Sequence, residues 1–437
     1  MNLKTPKAGL LTTTDEDAAG GTPLNSPGDG ASSDDATAAR SLMCAKSVRE
    51  RGHRILAQGD RLNHFVVHRD RLDETAAFVL DTIRINYPDL VIPFHARWRH
   101  FVFDGVDRWA EMAAACHVDA RELARIRFDL SITSVLLDAG AGSVWRFRDK
   151  RTAQDFARSE GLALASLDAF ADGLFSSAPD SLLQADATGL TGLTAHALGN
   201  AFQVAPNNEL AGLSGRAALM QRLGETLRNN ETYFAGSNPR IGNLFDWIIG
   251  HHGDNIAAPT LLEIVLDALG TIWPGRLSVG GINLGDTWHH PALTTDDATS
   301  GLVPFHKLSQ WLAYSLIEPL QDAGVVVTNI DGLTGLAEYR NGGLFVDMGV
   351  LELRDAAMLA KPHQPGDELI VEWRALTVAL LDLVAERVRE ALGRTVEELP
   401  LASVLEGGTW SAGRRIAGQL RTDGSPPIQI VSDGSVF

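Results

Sequence analysis

Residues 371–392, VEWRALTVALLDLVAERVREAL, carry the clearest helical signal in the chain: Leu376, Leu380, Leu383, Val384 and Val388 recur at three- and four-residue intervals. That spacing places them on one face of a 3.6-residue helix and predicts a face buried against other helices. Outward from it the same period returns in Leu72, Ala76, Val79, Leu80 and Ile83 before Pro88, and in Leu123, Ile126, Leu130 and Leu137 before Gly140 and Gly142. Further helices are predicted near 159–172, 214–229, 258–270, 305–321 and 409–421. β-prone pieces at 277–284, 325–330, 344–347 and 428–431 do not alternate regularly with the helices, which argues against a doubly wound sheet. The expected fold is mainly α, a helical two-lobed globular fold with a few short strands.

Residues 1–40 contain no Ile, Val, Phe, Tyr or Trp, which predicts a disordered tail. An Asn- and Gly-containing stretch near 199–213 suggests a boundary, giving an N-terminal lobe over 41–205 and a C-terminal lobe over 206–437. A net charge of −17, from 55 acidic against 38 basic residues, would repel a polyanion, so no nucleic-acid partner is expected. The two cysteines, Cys44 and Cys116, are too few for a disulfide framework and point to a reducing compartment. No apolar run approaches the ~18 residues that span a bilayer, and no secretory pattern opens the chain. A cytoplasmic protein without a membrane partner is expected.

Polar chemistry concentrates in residues 328–350, TNIDGLTGLAEYRNGGLFVDMGV, where Asp331, Glu338, Tyr339, Arg340 and Asn341 stand among glycines. So many donors and acceptors beside predicted core suit a ligand with several hydroxyl groups; the alternative is a capped, solvated turn. In the helix predicted over 305–321, Lys307, Gln310 and Tyr314 follow i, i+3, i+7 spacing and share a face, with Lys307 as the natural phosphate contact. The segment 94–109, FHARWRHFVFDGVDRW, offers Trp98 and Trp109 as stacking walls and Arg97 or Arg99 as an anion grip, or else a surface ion-pair network beside core aromatics. Arg158, Ser159 and Glu160 precede a predicted helix, where Ser159 can be an N-cap. Glu372, Trp373 and Arg374 open the helix at 371, where Glu372 can simply complement the helix dipole.

Other patterns exclude chemistry. His64 and His68 flank a strand-like FVV without a third ligand, and the His251–His252 and His289–His290 pairs lack ligand spacing, so no metal is expected. GGINLG at 280–285 is not a dinucleotide fingerprint, no GxxxxGK[ST] loop occurs, and GTWSAG at 408–413 departs from the nucleophile elbow. No cofactor is expected.

The strings PFHKLSQWLAYSLIEPL (304–320), DGLTGLAEYRNGGLFVDMGVL (331–351), EWRAL (372–376), EGGTWSAGRRIA (406–417) and SDGSVF (432–437) resemble the uracil catabolism protein four family of the non-reductive pyrimidine degradation route. RWRHF at 97–101, GVDRW at 105–109, DAGAG at 138–142 and RSEGLA at 158–163 match as well, so the resemblance runs from about Leu42 to Phe437. A second resemblance covers roughly residues 210–390. Arg216, Leu223-Gly224, Phe234-Ala235-Gly236, Asn243-Leu244, Phe305-His306-Lys307 with Gln310, Leu333-Thr334, Tyr339-Arg340, Gly349-Val350-Leu351 and Glu372 with Arg374-Ala375 are similar in order to the queuosine 5′-phosphate N-glycosylase family. That family is all-helical, distantly DNA-glycosylase-like, and carries a catalytic Asp directly before its Tyr-Arg pair; here the position is Glu338.

Together the resemblances imply hydrolysis of an N-glycosidic bond in ribosylurea or its 5′-phosphate, the ligand being a nucleoside or nucleotide fragment. Glu338 would stabilise an oxocarbenium-like state or activate water. Asp331 or His100 would protonate the leaving urea. Lys307, with His306 or Arg340, would hold a phosphate; Asn341 and Gln310 would bind sugar hydroxyls or the ureido group. Amide or ureido C–N hydrolysis, and a non-catalytic ligand-binding or scaffold role in the same route, remain as alternatives.

Overall fold

In the computed structural model, which describes residues 33–273 and 275–431, the predicted periods become helices. The framework, in chain order, is α1 (Ala45–Leu56), α2 (Leu72–Asn86), α3 (Ala120–Leu136), α4 (Arg158–Ala171), α5 (Leu213–Asn229), α6 (Ala258–Leu269), α7 (Lys307–Asp322), α8 (Tyr339–Asp347), α9 (Glu368–Leu392) and α10 (Trp410–Leu420), joined by shorter helical turns and loops. The protein is mainly α. Among the described residues the strands are two or three residues long and pair only in twos. The β-prone piece at 344–347 is not a strand. It lies inside α8, where Leu344 and Phe345 are fully buried, and packing overrides the intrinsic preference of Phe and Val.

The first half of α9 is buried almost all round, so it forms the axis on which the other helices pack. Helices α1 and α2 lie against it, and α7 packs on α3 and α6. Gly52 lets α1 come close: a Cβ there would stand 3.0 Å from the carbonyl oxygen of Ala375. Strand Phe65–Val67 pairs antiparallel with Leu351–Leu353, and one apolar cluster runs from Ala45 to Ile428. Members of that cluster come from both sides of residue 206.

Of the tail expected over 1–40, residues 1–32 lie outside the described part. Ser33–Ser41 is a helix, with Ala39 buried beside Leu42, Leu284 and Leu302. No described helix is long and apolar enough to cross a membrane.

Helix α8 is short and wedged between longer neighbours by glycines. A Cβ on Gly342 would meet the Trp373 ring at 2.7 Å, one on Gly343 would stand 3.0 Å from Pro427, and one on Gly413 of α10 would stand 2.2 Å from the carbonyl oxygen of Arg340. Gly413→Ala should thus cost about 1–3 kcal/mol through overpacking. Gly418→Ala, in the same helix with open space around it, should stabilise by roughly 0.5–1 kcal/mol through helix propensity. Denaturant midpoints at unchanged slope measure both, and equal effects from the two substitutions would exclude this packing.

Candidate functional site

Glu338 sits immediately before α8 in extended conformation, and its carboxylate caps the helix, accepting the backbone N–H of Arg340 at 2.7 Å and that of Asn341. Capping fixes the carboxylate in space. The same group lines a cavity of about 330 Å³, within the range of small-molecule sites. Burial pushes the Glu338 carboxyl up, against the two backbone hydrogen bonds and the charge of Lys307, which favour the anion. Lys307 opens α7 on the same cavity. Burial, reinforced by Arg374, pushes its ammonium down, while Glu338 opposes.

One turn after Lys307, Trp311 reaches the cavity, so the i, i+4 positions of α7 face the site. Trp410, at the start of α10, joins it. Between these indoles sits His95, 6.2 Å from Trp311 in stacked orientation and 5.8 Å from Trp410. His100 meets both edge-on, at 5.7 and 5.9 Å. Its buried Nδ1 has no hydrogen-bond partner among the described residues, and burial, followed by the charge of Arg97, holds the ring's pKa down at about 3.

Loop 138–142 and the first turn of α4 supply another part of the lining. Asp138 is held by the guanidinium of Arg97 and by the Ser159 hydroxyl at 3.0 Å. Ser159 is therefore not the N-cap; Ala157 occupies that position. Arg158, exposed and with a left-handed φ of 54°, lines the cavity beside it. Ser425, Pro426, Ile428 and Ile430, from the segment after α10, also line it.

Of the residues singled out from sequence, Glu338, Tyr339, Arg340, Lys307, His100, Arg158 and Ser159 meet here. The others do not. Trp98 is buried, its indole N–H donates to Ser315 at 2.8 Å, and Arg127 covers its ring at 4.4 Å, so it is core and not a ligand wall. Arg99 pairs with Glu318 at 2.6 Å and faces a smaller neighbouring cavity. Asp331 is clamped by Arg389 at 2.8 Å and by the backbone of Leu401, on a separate cleft. His306 bonds the carbonyl of Leu42 at 2.9 Å in another small cavity. Gln310 exchanges hydrogen bonds with Thr334 at 2.6 and 2.8 Å, and Tyr314 donates to the same residue's carbonyl at 3.0 Å. The amide of Asn341 donates to Leu336 at 3.1 Å. Arg374 grips Asp286 through two bonds of 2.9 and 2.8 Å.

Glu372 lies in the second turn of α9, which begins three residues earlier than expected, so it does not serve the helix dipole. Its buried carboxylate accepts the backbone N–H of Asn63, His64 and Phe65 at 3.1, 3.0 and 2.9 Å, and His290 approaches at 3.2 Å. His290, Glu368 and Glu372 place donor atoms within 4.8 Å of one another. A cation there would have to displace bonds that tie strand Phe65–Val67 to α9, and the set reads as a structural staple.

Sequence reasoning passed over His95, Trp311 and Trp410. The first stood one position into the aromatic segment, the second four residues after Lys307, and the third inside the EGGTWSAG string. Helical spacing from Lys307 was the signal that could have found Trp311.

The state of His100 has a consequence for stability. The unfolded imidazole takes up a proton below roughly pH 6.5, whereas the folded one stays neutral down to about 3. Its contribution is thus intact above the unfolded value and is lost as pH falls between the two. Chemical denaturation between pH 7 and 4 should show a flatter acid-side decline for His100→Gln than for wild type. An unchanged slope would show that this ring is not held neutral.

The 331–351 and 406–417 strings thus converge on one cavity, and comparison with known proteins supports treating them together. The chain is 42% identical over 407 residues to "Protein urg3" of Schizosaccharomyces pombe, covering 91% of this chain and 98% of that protein. It is 38% identical over 409 residues to "Uracil catabolism protein 4" of Lachancea kluyveri, covering 86% and 92%. A family model described as "Protein of unknown function (DUF1688)" matches residues 41–437, and the chain belongs to that family.

Proposed function

We propose that the protein acts in uracil catabolism as an N-glycosidase, hydrolysing ribosylurea or its 5′-phosphate to urea and ribose or ribose phosphate. The name of the Lachancea relative supports the pathway. The observation that carries the reaction is the Glu338 carboxylate, immobilised by two backbone N–H groups on the wall of a cavity it shares with Lys307. Cleavage at an anomeric carbon builds positive charge on the sugar, which a fixed carboxylate stabilises without reorganising. The same group can take a proton from the water that completes hydrolysis. Lys307, Arg340, Arg158 and Ser159 supply donors for a phosphate or for sugar hydroxyls.

Purified protein incubated with each compound should release intact urea and free sugar. Ammonia or carbamate instead would mean cleavage of a ureido C–N bond, and binding without turnover would mean a non-catalytic role. Glu338→Gln should fold, since the amide oxygen still caps α8, yet lose at least ~100-fold in kcat.

The pH dependence has a defined sign. Glu338 must be ionised, and burial raises its pKa, so kcat/KM should fall on the acid side at a pH above the usual carboxylate range. A wild-type profile flat down to pH 4 would exclude Glu338 as the working group.

A further inference from the structure

A proton donor for the leaving nitrogen is the part that the sequence left open, and one side chain of the cavity wall, His95, is backed by a carboxylate that borders the smaller neighbouring cavity. Nδ1 of His95 lies 2.7 Å from Oε2 of Glu406, and both side chains are shielded from solvent. The other oxygen of Glu406 lies 3.4 Å from the hydroxyl of Tyr87. Burial by itself would raise the Glu406 carboxyl, but the hydrogen bond and charge of His95 outweigh it and hold the group ionised. An ionised carboxylate cannot donate, so Nδ1 carries a proton. Nε2 makes no hydrogen bond to any described residue, and the ring lines the cavity.

Three features fix this arrangement. Trp311 and Trp410 confine the imidazole. The backbone N–H of His95 donates to Ala402 at 2.9 Å, tying its segment to the helical stretch that leads into Glu406. Glu406 itself lies in a π-helical turn, Leu405–Thr409, a widened geometry that is rare overall and frequent at functional sites. Gly407 and Gly408 allow that turn to press on the segment after α2 and on α2 itself, where a Cβ would meet Ile92 at 2.9 Å and Val79 at 2.6 Å, respectively. His100 lacks such a partner: no carboxylate bonds to either of its ring nitrogens among the described residues.

We propose that His95 is the general acid of this cavity, with Glu406 as its positioning residue. The inference rests on the glycosidase reading and deepens it by assigning the departure of the leaving group. The imidazolium donates its Nε2 proton to the ureido nitrogen as the bond to C1′ breaks and its electron pair passes to that nitrogen. Water adds to C1′ and gives a proton to Glu338. Urea departs neutral, His95 keeps its Nδ1 proton on Glu406, and the proton gained by Glu338 returns through solvent to His95. Net, one water is consumed and no charge accumulates. Charged and titratable groups around the ring are Glu406, with Tyr87 and Arg99 beside it, Arg97 and His100 from its own segment, and Glu338 with Lys307 from the other walls.

The test compares two leaving groups. Urea needs a proton to depart, whereas the 4-nitrophenolate of 4-nitrophenyl riboside does not. Wild type should hydrolyse both ribosylurea and the aryl riboside. His95→Gln should lose at least ~100-fold in kcat on ribosylurea while retaining most of its activity on the aryl riboside. Glu406→Gln should show the same split with a smaller loss, because a neutral partner still orients the ring. Circular dichroism and melting temperature confirm that each variant is folded, and the split in Glu406→Gln carries the test should His95→Gln not fold. Equal losses on both substrates would overturn the general-acid role and leave the glycosidase standing. Failure of wild type on both substrates would overturn the glycosidase, and this inference with it.

Discussion

A Cβ on Gly413 would stand 2.2 Å from the carbonyl oxygen of Arg340, and the site depends on the close approach that its absence permits. With Gly342 against the Trp373 ring, this contact seats a nine-residue helix between α9 and α10. The N-terminus of that helix is where Glu338 caps, so the position of the carboxylate follows from helix packing and not from a flexible loop. Trp410 begins the helix that carries Gly413. One packing constraint therefore positions both the charged group and part of the aromatic wall.

The polar residues of this chain divide into two classes by what their neighbours demand. Glu372 and Asp286 are enclosed carboxylates whose oxygens are taken by backbone N–H groups or a guanidinium fork, and the half-buried Asp331 is held through Oδ1 by Arg389 and the backbone of Leu401. Burying a carboxylate is tolerable only with such partners, and removing one partner leaves an uncompensated charge, so these groups act as fasteners between distant segments. Glu338 and Glu406 are also enclosed and also bonded, but Glu338 is fixed on the wall of the cavity that it shares with Lys307, and Glu406 is fixed against His95 of that wall. The difference lies in where the bonded carboxylate stands, which composition cannot show.

The stripe on α7 illustrates the same point. Lys307, Gln310 and Tyr314 share a face by spacing, yet only Lys307 reaches the cavity, because Thr334 lies across the next two turns and takes both Gln310 and Tyr314. Trp98 was the more obvious aromatic and Trp311 the less obvious one. Arg127 covers Trp98 from α3 and places it in the core, while Trp311 keeps the cavity-facing position one turn beyond Lys307. Residues 65 and 353, or 95 and 406, meet only through the fold.

Hydrophobic period, punctuation by Gly and Pro, and composition determined the helices and the mainly α class, because a buried face imposes a local repeat on the chain. They also located the polar string that contains Glu338. Which polar residues share a cavity, the pairing of His95 with Glu406, and the joining of residues from both sides of position 206 in one apolar cluster were decided by tertiary structure alone. Such pairings join residues hundreds of positions apart, and their energetics depend on burial and on partners that no local pattern encodes.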